Sequence, residues 1–456
     1  MHRALTEGSI PVGLVRFALP ILYANVLQSL NGSVNSIWVG RFLGEAALTA
    51  TSNANTVMFL LIGAAFGVAL AATILIGQSI GANDMPATKR VVGTSATFFA
   101  GISVALAVAG LVLCRPLLAA MSTPADSLEL AVAYMRVIFL ALPFLYLYAF
   151  VMAMLRGAGD SRTPFHFMLL SVAIDIALNP LLIFGLGPIP RLGIAGSALA
   201  TFIAQAVSLT ALVHHLYRRR HVLVLHRDEL ALLKVDWSVV GTLVRKGIPM
   251  SAQILVVSVS GVLMITLVNR FGVDTTAAFG AALQIWNYIQ MPAFAVGMAV
   301  SAMAAQNVGA GHWHRVTRIA RYGVLYSVAL TGSIVAAVEL LDTRVFALFL
   351  PAGSAALAIG SHLNRIVTGS FVFFGVSVAL FGVVRATGAV IAPLVILAVS
   401  LLVVRFPLAE LLLPRYAADA VWWSFPVSSA LSAVLALAYY RHGAWRRARM
   451  SPAAAS

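Results

Sequence analysis

One acidic residue in the middle of an apolar stretch is the feature of this sequence with the most evident chemistry. Asp175 lies within the mainly apolar residues 164–186, and Asn179 follows one helical turn later on the same face. A carboxylate in hydrocarbon is costly, so its presence indicates a function, most often the binding of a proton or a metal cation. The alternative interpretation is structural, with Asp175 neutralising a buried arginine, for which Arg405 is the candidate.

Amide and hydroxyl side chains in other apolar stretches could complete a polar pocket around this carboxylate. Gln28, Asn31 and Asn35 recur at spacings of three and four, so they share one helix face. Asn55 and Thr201 lie in two further apolar runs. Because an amide in hydrocarbon needs a hydrogen-bonding partner, we expect these side chains to gather inside one helical bundle.

A second set of polar and aromatic side chains could line a substrate cleft. Aromatic rings stack on organic cations, and amides and arginine supply hydrogen bonds. The set comprises Tyr146, Gln253, Gln284, Trp286, Asn287 and Arg405. All ten histidines lie outside the middle of the apolar runs, so a proton relay would depend on Asp175 alone.

The composition identifies the environment in which these residues work. Hydrophobic residues make up 61% of the 456 residues and charged residues 10%, and the mean hydropathy is +0.95. Soluble domains carry about 25% charged and about 45–50% apolar residues, so this chain is predicted to be a polytopic membrane protein. The single cysteine, Cys114, excludes an internal disulfide.

Runs long enough to cross a bilayer number twelve, since a membrane helix needs about 20 mostly apolar residues. They cover residues 15–38, 47–79, 91–114, 130–155, 164–186, 192–217, 244–268, 277–305, 318–340, 360–384, 391–413 and 421–441. We therefore expect an all-α protein.

The basic residues predict the orientation of these helices. The net charge of +15 comes from 30 Lys and Arg against 15 Asp and Glu, and 21 of the 30 fall in the termini and in every second loop. An excess of positive charge marks the cytoplasmic side, so both termini are predicted to be cytoplasmic, in a bacterial-type inner membrane. No basic patch is interleaved with aromatic residues on a polar face, which argues against nucleic-acid binding.

The two halves of the chain repeat one another at a nearly constant offset. Pro20 recurs as Pro249, 229 residues later. Gln78 recurs as Gln306, 228 residues later. The same register joins Leu14–Arg16 with Leu243–Arg245 and Arg156 with Arg385. One register held over such a distance indicates an internal duplication.

The duplication predicts two pseudo-symmetric six-helix bundles. We place the N-terminal lobe at residues 1–217, a cytoplasmic linker at 218–242, the C-terminal lobe at 243–441 and a cytoplasmic tail at 442–456. Six helices return the chain to its starting side, so the lobes share one topology and are related by an axis along the membrane normal. Two such lobes with a cleft between them form the architecture of a carrier that works by alternating access.

Several segments resemble signatures of a known family. Gly77–Asn83 and Gln306–Gly311 are similar to its GQ-x-x-GA motif, once in each half, and Arg156–Pro164 is similar to its R-G-x-G-D-x-x-x-P loop. Asn179–Gly185 resembles the end of its fifth helix. This is the multidrug and toxic compound extrusion (MATE) family. The resemblance covers essentially the whole chain and is greatest for the DinF-like branch.

The resemblance implies a secondary antiporter that exports organic cations and amphipathic drugs in exchange for H⁺ or Na⁺. The family's N-lobe ion site corresponds to Asn35, Asp175, Asn179 and Thr201, with Asn35 where the family has an aspartate. One carboxylate favours H⁺ as the coupling ion, with Na⁺ at Asp175 as the second choice. No cofactor is expected, and the partners would be small-molecule substrates and membrane lipid, with the protein acting as a monomer.

Three other functions compete with this interpretation. A flippase for a lipid-linked precursor has the same type of fold, but its cleft needs several cations, and Arg405 alone lies near the middle of a span. An integral-membrane enzyme is disfavoured because no phosphate loop, H-E-x-x-H or G-x-S-x-G motif is present. A channel is disfavoured because no selectivity ring can be identified. We therefore expect a transporter and not an enzyme.

Overall fold

The computed structural model describes residues 5–121, 123–185, 190–351 and 353–450, and within these ranges the chain is helical without a strand. The helices of the first half are α1 (Ile10–Leu43), α2 (Glu45–Gly81), α3 (Met85–Ala120), α4 (Ala125–Gly157), α5 (Arg162–Phe184) and α6 (Ile194–Arg218). A short 3₁₀ helix, Arg227–Leu233, precedes the second half.

The second half contains the same kind of helices, two of which are interrupted. It consists of α7 (Trp237–Val268), α8 (Val273–Gly309), α9 (Trp313–Leu340), α10 (Asp342–Phe346), α11 (Ala355–Val367), α12 (Phe371–Ala386), α13 (Ile391–Ala398), α14 (Phe406–Tyr416) and α15 (Ala418–His442). The 3₁₀ turn Thr368–Ser370 connects α11 to α12. The π-helical Val399–Arg405 connects α13 to α14.

Twelve helical segments of the described chain are long and apolar enough to cross a membrane, which confirms the predicted number. The observed helices extend beyond the predicted spans. The first runs from Ile10 to Leu43, whereas the apolar run covers residues 15–38. Hydropathy detects only the part of a helix that matches the hydrocarbon core, and the helix continues into the interfacial region on either side.

The internal duplication extends to the backbone of corresponding helices. The second helices of the two halves, α2 and α8, both have 37 residues. Each follows a glycine with positive φ, 86° at Gly44 and 92° at Gly272. Few residues other than glycine adopt this conformation, so the same sharp turn was retained in both copies.

The first compact unit covers residues 23–247. Its helix α4 packs against α2, α3 and α6, and α5 packs against α6. The stacked rings of Phe99 and Phe150, with centroids 5.1 Å apart, mark the contact of α3 with α4.

The second compact unit combines the described residues 5–22 with residues 248–450. Its most buried span is α8, which packs against α9, α11 and α12. An aromatic cluster that includes Phe279, Trp286, Trp422 and Phe425 fills the interior of this bundle. Trp422 is therefore a core residue of the unit.

These units do not have the boundaries of the predicted lobes. The segment before α1 joins the second unit, because Leu5 N donates to Gln306 Oε1 over 2.9 Å and Asn307 Nδ2 donates to Leu5 O over 3.1 Å. The predicted linker packs on α3, where Thr97 Oγ1 donates to Leu233 O over 2.7 Å. The chain therefore passes from one unit to the other inside α1 and inside α7.

Asp236, the last residue before α7, caps the amino-terminal end of this helix. Asp236 Oδ1 accepts hydrogen bonds from Ser238 N over 2.9 Å and from Ser238 Oγ over 2.6 Å. The bonds from Ser238 hold the pKa of Asp236 below its ordinary value. We expect Asp236→Ala to cost about 1 kcal/mol, as other helix caps do.

The pH dependence follows from the direction of that shift. A carboxyl whose pKa is lower in the folded state stabilises the fold above its unfolded pKa of about 4, and this contribution disappears as the pH falls through the folded value. The difference in thermal midpoint between the wild type and Asp236→Ala in detergent should therefore be full at pH 6 and should shrink below pH 4. A difference that is constant with pH would contradict a role for the ionised carboxylate.

Candidate functional site

The Asp175 carboxylate is enclosed by side chains from three helices of the first unit. Asp175 on α5 is only 2% exposed. Asn31 Nδ2 on α1 donates to its Oδ2 over 2.7 Å, and Thr201 Oγ1 on α6 donates to its Oδ1 over 3.1 Å. Both oxygens of the acid are thus held by neutral donors, and none of these hydrogen bonds comes from a basic residue.

Asn179 adds an unused acceptor to this pocket. Its Nδ2 donates to Asp175 O over 3.0 Å and to Asp175 Oδ1 over 3.3 Å. Its Oδ1 is buried and has no hydrogen-bond partner within the described chain. A buried carbonyl oxygen without a partner is unfavourable, so this atom can accept a proton donor or ligate a small cation.

The donor set limits which cation fits. Asp175 is the single carboxylate among the partners named, and the described residues contain no cluster of three His, Cys, Asp or Glu side chains that could hold a metal ion. Hard oxygen donors from Asp175, Asn179 and Thr201 would suit H⁺ or Na⁺, whereas a divalent ion usually requires more negative charge.

The predicted neighbour Asn35 is not a direct partner of Asp175. Its Oδ1 instead accepts from Ser197 Oγ over 2.7 Å, and Ser197 lies one turn before Thr201 on α6. Asn31, one turn earlier on α1, takes the direct contact. Asn35 therefore holds α1 to α6 beside the acid.

Two other residues proposed for this pocket lie elsewhere. Gln28 and Asn55 are exposed, so they do not belong to the buried pocket. The neighbouring Asn53 has a structural role, since its Nδ2 donates to Thr123 Oγ1 over 3.1 Å. Neighbouring turns of one helix can carry similar polar residues and still face different parts of the structure. The spacing of the residues in the sequence does not show which turn faces the pocket.

Ser197 belongs to the surroundings of the acid, through its hydrogen bond to Asn35, and was not predicted from the sequence. Its only signal was a position four residues before Thr201, on the same face of α6.

The aromatic residues proposed for the substrate cleft are core residues. Tyr146 and Trp286 are each 2% exposed. Tyr146 Oη donates to Leu61 O over 2.7 Å, and Trp286 Nε1 donates to Thr368 Oγ1 over 3.2 Å. Each ring is packed inside its bundle with its polar atom satisfied, so neither is free to stack on a ligand.

The polar residues of the same set are separated by the structure. Gln253 is buried, and its Oε1 accepts from Arg385 Nη1 over 3.1 Å. Gln284 and Asn287 are exposed on α8. These two amides are the members of the set whose side chains are accessible to a ligand.

Arg405 is held by its own unit and not by an acid. Its Nε donates to Ser428 Oγ over 2.8 Å, and its guanidinium carbon lies 4.4 Å from the centre of the Phe425 ring. It ends the π-helical segment Val399–Arg405. The interpretation that Asp175 and Arg405 neutralise each other receives no support from these contacts.

A second polar network, which runs from the half-buried Asp342 to the buried Trp286, was not predicted from the sequence. Asp342 on α10 accepts from Asn364 Nδ2 over 2.9 Å and from Ser361 Oγ. Thr368 Oγ1 donates to Asn364 Oδ1 and accepts from Trp286 Nε1. The hydrogen bonds thus form a chain from Asp342 to the core residue Trp286. Asp342 was overlooked because it lies in a short polar segment between two apolar runs.

Close packing of α5 and α6 is necessary for the first site. A Cβ at Gly196 would lie 2.4 Å from Leu182 O, well inside contact distance. We expect Gly196→Leu to push α6 from α5, to separate Thr201 from Asp175 and to lower the thermal midpoint in detergent. Gly241→Leu, where a Cβ meets no atom within 4 Å, is the matched control. Equal midpoints for the two variants would contradict the expectation.

Twelve apolar helices, a duplicated architecture and an acid buried among neutral donors define an integral membrane transporter. The chain belongs to the MatE family of multidrug and toxic compound extrusion transporters, whose model matches residues 20–181 and 249–411.

Individual relatives extend over nearly the full chain. Probable multidrug resistance protein YoeA of Bacillus subtilis is 35% identical over 437 residues, covering 95% of this chain and 94% of its own. Probable multidrug resistance protein YpnP of the same organism is 29% identical and covers 98% of each chain. A MATE family transporter solved in an outward-facing conformation superposes with a TM-score of 0.87 at 21% identity, covering 96% of both chains.

Proposed function

We propose that this protein is a secondary active antiporter that exports organic cations and amphipathic drugs in exchange for H⁺, with Na⁺ as the second choice. The observation that carries the proposal is the Asp175 carboxylate, buried and bonded to neutral donors from α1, α5 and α6. A membrane acid without a basic partner gains most from binding a proton or a small cation.

Protonation of Asp175 would be transmitted to α1. In the ionised form Oδ2 accepts from Asn31 Nδ2 over 2.7 Å. A proton on this oxygen turns it into a donor, so it competes with the amide N–H for the same space. Asn31 would then either turn its carbonyl oxygen toward the acid or lose the contact, and loss of the contact would change how α1 packs on α5.

This response couples the ion to the cargo. Repacking of α1 on protonation would favour the state that releases substrate, and deprotonation would restore the state that binds it. The two repeats then alternate the access of the substrate site between the two sides of the membrane. The ion gradient drives export because the two states differ in their affinity for the proton.

The proposed substrate class is supported by the names of two relatives. YoeA and YpnP carry the name of multidrug resistance proteins. The accessible amides Gln284 and Asn287 are neutral and suit amphipathic cations better than phosphates. A flippase for a lipid-linked precursor is less well supported, because Arg405 is engaged by Ser428 and Phe425.

The orientation rests on the distribution of charge. Because 21 of the 30 Lys and Arg fall in the termini and alternate loops, we propose that both termini and residues 218–242 are cytoplasmic. We further propose that the protein lies in a bacterial-type inner membrane and acts as a monomer. Labelling of single cysteines introduced at exposed loop positions of the Cys114→Ser protein, in intact cells and in inverted vesicles, would test the orientation.

Transport in proteoliposomes tests the function directly. Accumulation of a fluorescent lipophilic cation in the vesicles is measured with a pH gradient alone, with a sodium gradient alone and with neither gradient. We expect the pH gradient alone to drive accumulation of the dye. Accumulation with sodium alone would support the second choice, and the absence of accumulation with either gradient would refute antiport of such cations.

A further inference from the structure

A basic pocket lies at one end of the second unit, and none of the residues assigned to transport lines it. It has a volume of about 470 Å³ and is lined by Trp313, His314 and Thr317 at the start of α9 and by Arg446. Arg446 belongs to the 3₁₀ helix Ala444–Arg447, which follows the end of α15. Both transmembrane helices terminate here, so the pocket lies where the hydrocarbon gives way to polar surroundings.

The segment that carries Arg446 is firmly anchored. Trp445 is 1% exposed. Its Nε1 donates to Tyr440 O over 2.7 Å, and its carbonyl accepts from Thr387 Oγ1 over 2.8 Å. The Trp445 ring also stacks on Tyr440 with centroids 5.1 Å apart. The pocket is therefore preformed.

The electrostatic surroundings of the pocket favour an anion. Neither residues 313–321 nor residues 440–450 contain an acid. In addition to Arg446, these two segments carry six arginines and two histidines, which are Arg315, Arg318, Arg321, Arg441, Arg447, Arg449, His314 and His442. Arg315 is engaged elsewhere, by Asn307 and Gly8 and by the electrostatic attraction of Glu7. The Thr317 hydroxyl donates to Trp313 O over 3.2 Å, and the guanidinium carbon of Arg446 lies 5.1 Å from the centre of the Trp445 ring. His314 and the N–H groups of Arg446 remain as the donors that the pocket can offer to an anion.

Exposed apolar side chains continue from the pocket along both helices. On α9, Leu325 is 55% exposed and lies two turns beyond Thr317 on the same face. On α15, Leu437 is 39% exposed and lies one turn before Arg441. A ligand with a charged head in the pocket and hydrocarbon along these helices would match both surfaces.

We propose that this pocket binds the phosphate of an anionic phospholipid headgroup. Arg446 supplies charge-assisted hydrogen bonds to the phosphate, and His314 supplies a further donor. Trp313 is 39% exposed and begins the membrane helix α9, and tryptophan is favoured at such interfacial positions. Basic pockets between membrane helices select anionic lipids in this way. A free phosphate could bind Arg446 in the same way, but it has no acyl chains to cover the exposed apolar side chains of α9 and α15.

Lipid binding to the full-length protein in detergent tests the proposal. Native mass spectrometry would measure the fraction that carries phosphatidylglycerol, phosphatidylcholine or glycerol phosphate at equal concentrations. We expect binding of phosphatidylglycerol in clear preference to the other two, and a loss of roughly tenfold in its affinity in Arg446→Gln, because a charge-assisted bond is removed. Arg219→Gln, which removes an exposed arginine at the end of α6, is the matched control and should bind normally.

The outcomes separate the alternatives. Equal affinities of Arg446→Gln and Arg219→Gln for phosphatidylglycerol would overturn the site. Binding of glycerol phosphate as tight as that of the lipid would overturn the lipid assignment in favour of a soluble phosphate. If Arg446→Gln does not fold, His314→Ala removes the other donor of the same pocket and should weaken binding of phosphatidylglycerol selectively. Transport activity is not a readout of this experiment, so its result is independent of the proposed antiport.

Discussion

Replacement of Asp175 by Asn is expected to abolish accumulation of substrate driven by a pH gradient. The amide has nearly the shape of the carboxylic acid, but it cannot release a proton, so the link between protonation and the packing of α1 is lost. The measurement is dye accumulation in proteoliposomes with only ΔpH imposed. Because the site has no basic partner, the variant leaves no unpaired buried charge and should fold normally.

The control for this experiment is Glu410→Gln. Glu410 is an exposed acid whose side chain is 45% accessible and pairs loosely with Arg270 over 3.6 Å. Its loss should leave ΔpH-driven accumulation unchanged, since exposed ion pairs contribute little. If Asp175→Asn, reconstituted in equal amount, still concentrates dye under ΔpH, then Asp175 is not the coupling residue.

Replacement of Asn31 by Asp is expected to confer sodium dependence. Asn31 Nδ2 is 2.7 Å from Asp175 Oδ2, so the variant places a second carboxylate directly beside the first. The two acids, the unpaired Oδ1 of Asn179 and the Thr201 hydroxyl would then form a set of hard oxygen ligands. Two carboxylates in contact stay ionised together only when a cation lies between them, since otherwise one of them takes up a proton. At a pH at which both are ionised, Na⁺ can supply this positive charge.

The measurement is dye accumulation driven by a sodium gradient at constant pH. Asn31→Ala is the matched variant, because it removes the same hydrogen bond without adding charge, and it should not respond to sodium. Asn35→Asp should respond less than Asn31→Asp, since Asn35 contacts Ser197 and not the acid. An Asn31→Asp protein that is indifferent to sodium would show that the site cannot adopt the geometry of a sodium ligand set.

The parts of the structure that the sequence predicts are those fixed by local properties. An apolar run of sufficient length forms a membrane helix whatever its neighbours are, so the twelve helices were predictable. The contact of Asp175 with Asn179 follows from the geometry of a single helix turn. The inclusion of Thr201 depended on the family resemblance, because no spacing rule connects α5 to α6.

What the sequence could not predict is which way each helix faces. Asn31 and Asn35 lie one turn apart, and the tilt of α1 against α5 determines which of them reaches the acid. An aromatic residue in a membrane helix can face lipid, ligand or core, and Tyr146 and Trp286 turned out to face the core. These directions arise from packing between helices that are distant in the sequence.

The placement of the first helix has a consequence for biosynthesis. Leu5 is bonded to Gln306 and Asn307, about 300 residues later in the chain. The amino terminus leaves the ribosome first, yet its final contacts do not exist until α8 has been made. The beginning of α1 must therefore wait in the bilayer while most of the protein is inserted, and the second unit can close only near the end of translation. Two separately expressed half-genes would each lack a piece of their own bundle and would have to exchange it to assemble.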